Sequence, residues 1–236
     1  MKTVFHPAGD RGFNSFGWLK SHHSFSFGKF HNAEKMNFGL LRVLNDDHVE
    51  KGMGFGTHPH DNMEIVSIPL SGALIHNDSI GREAIIKQGD VQIMSAGTGI
   101  SHSEYNASKE DAVKFLQIWV FPKEANIAPR YEQKSFTEDE KKNNFLTVVS
   151  PEKDAKSIWI NQDAYFSLGN LDAEKEFTYQ LKDKNNGVYI FLLEGGIETG
   201  QKELKNRDAI GIYEITEVKI NTKLDSKVLI IEVPMG

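Results

Sequence analysis

Apolar residues along this chain come in short runs cut by Gly, Asn and Asp, at residues 40–44, 64–70, 91–94, 115–121, 188–193 and 228–233. Each run has the length of a β-strand, and segments with a 3.6-residue period are scarce, so the pattern predicts an all-β fold of sandwich or barrel texture. Turn signals such as His76-Asn77-Asp78-Ser79-Ile80-Gly81 and Lys184-Asn185-Asn186-Gly187 separate the runs. Asn45-Asp46-Asp47 reads most simply as another turn.

The pattern also repeats. Residues 65–74 (IVSIPLSGAL) resemble residues 188–197 (VYIFLLEGGI), with Gly72 falling on Gly195. Residues 88–93 resemble 206–211, with Asp90 on Asp208, and residues 114–122 find an echo in 227–234. Two similar β units, residues 1–136 and 137–236, joined at the charged stretch 137–144, account for this economically.

Polar residues set inside this apolar pattern carry the chemistry. In Thr57-His58-Pro59-His60-Asp61-Asn62-Met63-Glu64, strand alternation points His58 and His60 to one face, and in Gly97-Thr98-Gly99-Ile100-Ser101-His102-Ser103-Glu104 it pairs His102 with Glu104. Three imidazoles and one carboxylate converging from neighbouring strands form a mixed N/O set for Fe, Cu, Ni, Mn or Zn, and one open coordination position would make the site catalytic. One HxH among nine histidines says little; the second cluster, with the same spacing in a Gly-rich apolar stretch, says more. Glu64 shares the parity of His60, so spacing leaves both Glu64 and Glu104 open as the carboxylate ligand. Presentation of His-x-Glu on one strand face favours Glu104.

The two units are chemically unequal. Carrying the first unit's positions into the second puts Leu181 at His58, Asp183 at His60, Ile220 at His102 and Thr222 at Glu104, and no histidine follows His102. The second unit is therefore expected to be architectural, with one metal per chain. Absence of cysteine excludes disulfides and thiolate ligands. The net charge of −6 without a long basic run argues against a dedicated nucleic-acid surface. With no apolar run of membrane-span length and no leader-like start, a cytoplasmic location without membrane association is expected.

The wording GFGTHPH at 54–60, QIMSAGTGISHSEYN at 92–106 and FPKEANIAPRYEQ at 121–133 resembles the pirin family of the cupin superfamily, above all its bacterial bicupin members with quercetin 2,3-dioxygenase activity. Two departures from the general cupin pattern, Ser95 where proline is common and an extra residue between Gly97 and His102, belong to the pirin variety. The resemblance implies a bicupin of two antiparallel, jelly-roll-like β-barrels, with metal only in the N-terminal one. It places the ligands on His58, His60, His102 and Glu104, with iron as the first candidate and Zn, Cu, Ni and Mn as alternatives.

The activity so implied is flavonol cleavage with O2 incorporation and CO release, Glu104 also serving as base. The competing expectation, by analogy with eukaryotic pirins, is a non-catalytic metal-binding redox sensor or protein-interaction module. His22 and His23 are expected to be structural. Phe55, Met63, Met94, Gln117 and Trp119 are expected in the cavity wall or the ordinary core.

Overall fold

The computed structural model describes residues 1–153 and 156–236, and every apolar run named above falls on a strand to within one residue at its end. The chain opens with β1 (Lys2–His6), β2 (Gly12–Ser15), β3 (Leu19–His23) and β4 (Leu41–Val49). β5 (Gly54–His60), β6 (Glu64–Ser71), β7 (Ala73–Asp78) and β8 (Glu83–Lys87) follow. β9 (Asp90–Ser95), β10 (Ile100–Asn106), β11 (Val113–Val120) and β12 (Arg130–Ser135) complete the first half. A helix of one turn, α1 (Glu138–Lys141), then leads into the second; its N-cap Thr137 and Glu140 form a capping box. The second half contains β13 (Leu146–Ser150), β14 (Ile158–Trp159), β15 (Tyr165–Leu171), β16 (Glu176–Gln180) and β17 (Asn186–Glu194). It ends with β18 (Gly196–Thr199), β19 (Lys202–Lys205), β20 (Ala209–Tyr213), β21 (Glu217–Thr222) and β22 (Ser226–Pro234). Among the described residues no helix is long and apolar enough to cross a membrane.

Each unit is a jelly-roll-like sandwich of a seven-stranded and a four-stranded sheet rather than a closed barrel. In the first the orders are β12-β9-β6-β11-β4-β3-β2 and β5-β10-β7-β8; in the second, β1-β20-β17-β22-β15-β13-β14 and β16-β21-β18-β19. The repeat seen in the sequence is thus a repeat of topology. It extends to detail: Asp90 Oδ2 accepts from the Lys87 backbone N–H at 2.8 Å, and Asp208 Oδ2 accepts from that of Lys205 at 2.9 Å. Gly72 and Gly195, which open the β6–β7 and β17–β18 turns, have φ of +75° and +104°, where a side chain would be strained.

One segment crosses over. β1, counted with the first unit from its sequence position, pairs antiparallel with β20 and forms an edge of the second unit's sheet.

The central strands of the seven-stranded sheets are buried on both faces. Their outer faces meet in one continuous apolar core, with Leu44, Val66, Ile93, Leu116 and Ile118 of the first unit packed with Val149, Phe166, Phe191, Leu229 and Ile231 of the second. At about 1.5–3 kcal/mol per fully buried side chain of this kind, the two units stabilise each other substantially. Inside the second sandwich the core is continuous too. Inside the first it is split into two small clusters, one around Leu74, Val113 and Phe115 and one around Ile65, Met94 and Ile100. Polar residues occupy the space between them, and there the candidate site lies.

Candidate metal centre and its cavity

The four-stranded sheet of the first unit supplies the imidazoles. His102 on β10 is directly opposite His58 on β5, and His60 faces Ile100 one step further along. The register slips between His102 and Glu104, so that Phe55 rather than Gly56 comes opposite Glu104. This β-bulge lets Phe55 and His58 share the inner face although they are three residues apart. Gly54 permits the approach of the strands: a Cβ there would lie 2.3 Å from the Glu104 carbonyl oxygen and 2.5 Å from Tyr105 Cα.

His58, His60 and His102 bring one nitrogen each within 4.8 Å of one another. The His58 Nδ1–H donates to the Gly56 carbonyl at 2.8 Å, which leaves Nε2 as the bare nitrogen, and that atom sits 3.1 Å from His102 Nε2. Two nitrogens sharing one ion at about 2.0–2.1 Å and a right angle would be roughly 3 Å apart. Orientation of a ligating imidazole by a backbone carbonyl is the usual outer arrangement around such ions. The residues therefore fit a transition metal.

Electrostatics agree with neutral, lone-pair-bearing rings at His60 and His102. Burial, reinforced by the neighbouring imidazoles, lowers His102 to about 2, and burial with His58 lowers His60 to about 4. Neither is protonated near neutrality, as a ligand must not be. Glu104 is fully enclosed, and burial raises its pKa against the opposing effects of His76, Gln117 and Ser67. Its Oε2 accepts from Gln117 Nε2 at 2.7 Å and its Oε1 from Ser67 Oγ at 3.1 Å.

A fourth histidine joins them. His76 on β7 is opposite Glu104 on β10 and groups with His102 and Glu104 within 4.8 Å. Its Nε2–H donates to Asp78 Oδ2 at 3.0 Å, whereas its buried Nδ1 has no hydrogen-bond partner. The segment read as a turn from His76 is strand through Asp78, the turn coming after it. Its burial alternates, with Leu74 and His76 inward, but Ala73-Leu74-Ile75 is apolar throughout, so the sequence carries no alternation that would mark His76.

Glu64 lies elsewhere. Alternation on β6 turns Ser67 toward Glu104 and Glu64 toward the second unit, where its Oε2 accepts from Ser95 Oγ at 2.8 Å and from the Asn161 backbone N–H at 3.2 Å. Burial pushes its carboxyl up to about 7. The parity shared with His60 misleads because the two strands belong to different sheets.

A cavity of about 240 Å³ opens beside the cluster, lined by His58, His60, Glu104 and Gln117 and walled by Phe16, Phe27, Phe55 and Trp119. It is slightly smaller than the roughly 300–1,000 Å³ of typical ligand pockets, which suits a compact flat ligand. Met63 and Met94 pack in the apolar cluster by Ile65 instead. His23 is a buried, hydrogen-bonded residue of the cavity wall: its Nδ1–H donates to Asn45 Oδ1 at 2.7 Å, and its Nε2 faces Asn14 Nδ2 at 3.0 Å. His22 lies against Phe13, the two rings tilted by 38°.

Asn45-Asp46-Asp47 is no turn but the middle of β4. It is stable there because alternation gives each residue a partner or a purpose. Asp46 points out to Arg11 and Arg207, both at 3.2 Å, while Asn45 and Asp47 point into the cavity. Burial pushes Asp47 up to about 7.

The second unit has no counterpart to this centre. In register, Tyr179 stands where His58 does, Val218 at His102, Ile220 at Glu104 and Thr199 at His76. These differ from the equivalences carried over along the sequence because the connecting loops of the two units are unequal in length. Tyr179, Val218 and Ile220 belong to the apolar core.

The family profile for pirin matches residues 5–120, and that for the quercetinase C-terminal cupin domain matches residues 147–233. A quercetin 2,3-dioxygenase of Escherichia coli strain K12 is 37% identical over 227 residues, covering 96% of each chain. A pirin-like protein of Caulobacter vibrioides is 36% identical over 92% of this chain and 93% of its own. Among solved structures, bacterial pirin YhhW from Escherichia coli in complex with nickel(II) superposes with a TM-score of 0.93 at 36% identity, covering 99% of both chains. A quercetin 2,3-dioxygenase from Acinetobacter baumannii, at 20% identity and a TM-score of 0.79 over 99% of this chain and 86% of that one, shares the fold. Two fused cupin-type sandwiches, a histidine cluster in the first alone and full-length likeness to these proteins make this chain a member of the pirin family, of its bacterial bicupin type.

Proposed function

We propose that the chain is a metal-dependent dioxygenase that cleaves flavonols or related enolic aromatics, adding both atoms of O2 and releasing CO. The observation that carries this reading is the juxtaposition of a three-histidine cluster with a buried carboxylate, whose pKa burial raises, on the wall of an aromatic-lined cavity. His58, His60, His102 and Glu104 would hold the ion, with iron the first candidate and nickel, copper, manganese and zinc also compatible with the donors. A divalent ion there supplies Lewis acidity toward the substrate's 3-hydroxyl, easing its ionisation near neutral pH.

The protein's own groups then manage the proton. Glu104 Oε1 is the acceptor, since Oε2 is held by the Gln117 amide. Ser67 Oγ lies 3.1 Å from Glu104 Oε1 and 3.3 Å from Gln117 Oε1, so its hydrogen can turn to Gln117 when Glu104 is protonated, and the hydroxyl then accepts from the new acid. Phe27, Phe55 and Trp119 hold the flat rings and keep water from the reacting carbon. The partly exposed His58 and the exposed Phe16 on the cavity wall connect it to solvent, which favours an enzyme over a closed sensor.

The test is a matched pair of substrates, a flavonol and its analogue lacking the 3-hydroxyl, given to protein loaded with Fe, Cu, Ni or Mn. O2 uptake and CO release with the flavonol alone are expected. Equal turnover of both contradicts the mechanism, and turnover of neither with any metal returns the protein to the sensor reading.

A further inference from the structure

The inner face of a sandwich sheet is ordinarily apolar, and at three positions the second unit obeys this rule where the first does not. Ser67 and Gln117 stand in register where the second unit has Ile190 and Ile230, and Asp47 stands where it has Gly169. The fold therefore does not require polar residues at these positions. Two residues of the cavity lining each carry a buried polar atom without a hydrogen-bond partner, Asp47 Oδ1 and Trp119 Nε1, and a turn of the Asp47 carboxyl about its last bond would bring Oδ1 to the cavity surface. Leaving such groups unpaired costs about 1–3 kcal/mol apiece, a cost that a bound ligand would relieve.

Their positions give a direction. Trp119 is at the metal end, its ring 5.0 Å from that of His60. Asp47 is in register with Phe115 on the same β11 strand, four residues from Trp119 and beyond Gln117. At about 3.3 Å per residue the two levels are roughly 13 Å apart; Gln117, which holds Glu104, lies midway, so Asp47 stands about 7 Å along the strand beyond the level of that carboxylate, within reach of a hydroxyl on a ring next to the metal-bound edge. Ser21, opposite Asp47 on β3, and the His23–Asn45 pair next to it hold that end of the floor in place.

Resting on the substrate class proposed above, we propose that Asp47 is a specificity-determining residue that hydrogen-bonds a phenolic hydroxyl on a ring next to the metal-bound edge of the substrate. The preferred ligands are then planar polyphenols with a hydroxyl on that ring. The parent 3-hydroxyflavone, which lacks it, leaves Asp47 Oδ1 without a partner.

Binding of 3-hydroxyflavone and of two series of its hydroxylated derivatives, one substituted on the fused ring and one on the pendant aryl ring, tests this. The full chain loaded with Fe(II) is titrated under nitrogen, with quenching of tryptophan fluorescence as readout, so no turnover is needed. In one series the native protein should gain about ten- to hundredfold in affinity over the parent compound. Asp47→Ala should reduce that ratio to near one, and Asp47→Asn, which keeps an acceptor of the same shape, should retain part of it. An undiminished ratio in Asp47→Ala, or equal weakening of every ligand in both variants, overturns the assignment, as does a native protein that favours neither series. If the ratio appears and collapses as expected while aerobic samples release no CO, Asp47 keeps its role and the dioxygenase reading fails. If no compound binds, both fall.

Discussion

Glu104 points into the cavity of the first unit and Glu64 out toward the second, and their substitutions should separate accordingly. Glu104→Gln is expected to retain part of the metal, held by His58, His60 and His102, yet to lose about 10²- to 10⁴-fold in turnover, since an amide does not accept the substrate's proton. Glu64→Gln should change neither by much, and parallel elemental analysis and CO assays check the pair. Emptying of the site by Glu64→Gln, with Glu104→Gln fully active, would reverse the assignment. Glu64 should show itself in stability instead. Its carboxyl rises from an ordinary 4.5 to about 7 on folding, so the native chain keeps a proton that the unfolded chain releases in that window. The stability it contributes is full below about pH 4.5 and is lost as pH rises through about 7. Urea unfolding at pH 5 and pH 8 should show Glu64→Gln gaining on the native protein at the higher pH by up to about 3 kcal/mol. A difference that is flat with pH would mean Glu64 is already ionised in the folded chain.

At the scale of elements, hydrophobic runs translate directly into strands, because a sheet buried on both faces needs uninterrupted apolar residues, and the outer faces of β6, β11, β17 and β22 are buried against the other unit. The HxH and HxE pairs were legible because period-2 alternation alone sets the facing of their side chains. His76 and Asp47 were not, since Asn- and Asp-rich wording is the mark of a turn unless a partner across the sheet or a cavity absorbs the polarity. Asp46 between Arg11 and Arg207 is such a case, and its two partners are distant in sequence. The bulge in β5 was equally silent, although Gly54 and Gly56 flank it. Gly54→Ala should force β5 from β10, costing about 1–3 kcal/mol and weakening metal binding. Thermal unfolding and equilibrium dialysis measure the two effects, and a loss of stability with unchanged metal affinity would show that strand spacing here does not set the ligand geometry.

The whole molecule is two copies of one architecture with divided labour. The first copy interrupts its inner core with polar groups; the second fills the same space with Tyr179, Val218 and Ile220 and backs the first across a shared apolar interface. Its buried Glu232 is already committed, accepting from Tyr179 Oη, Asn186 Nδ2 and the backbone N–H groups of Lys182 and Asp183. Elemental analysis should find about one transition metal per chain, unchanged by Glu232→Gln, whereas stoichiometric metal in both units would refute the division. The central claim concerns the fate of oxygen, so it is met most directly by turnover of a flavonol under ¹⁸O2 with metal-loaded protein. Both labelled atoms should appear in the ring-opened ester, with one unlabelled CO released for each O2 consumed. A single label in the organic product, or product formed without CO, would contradict the account.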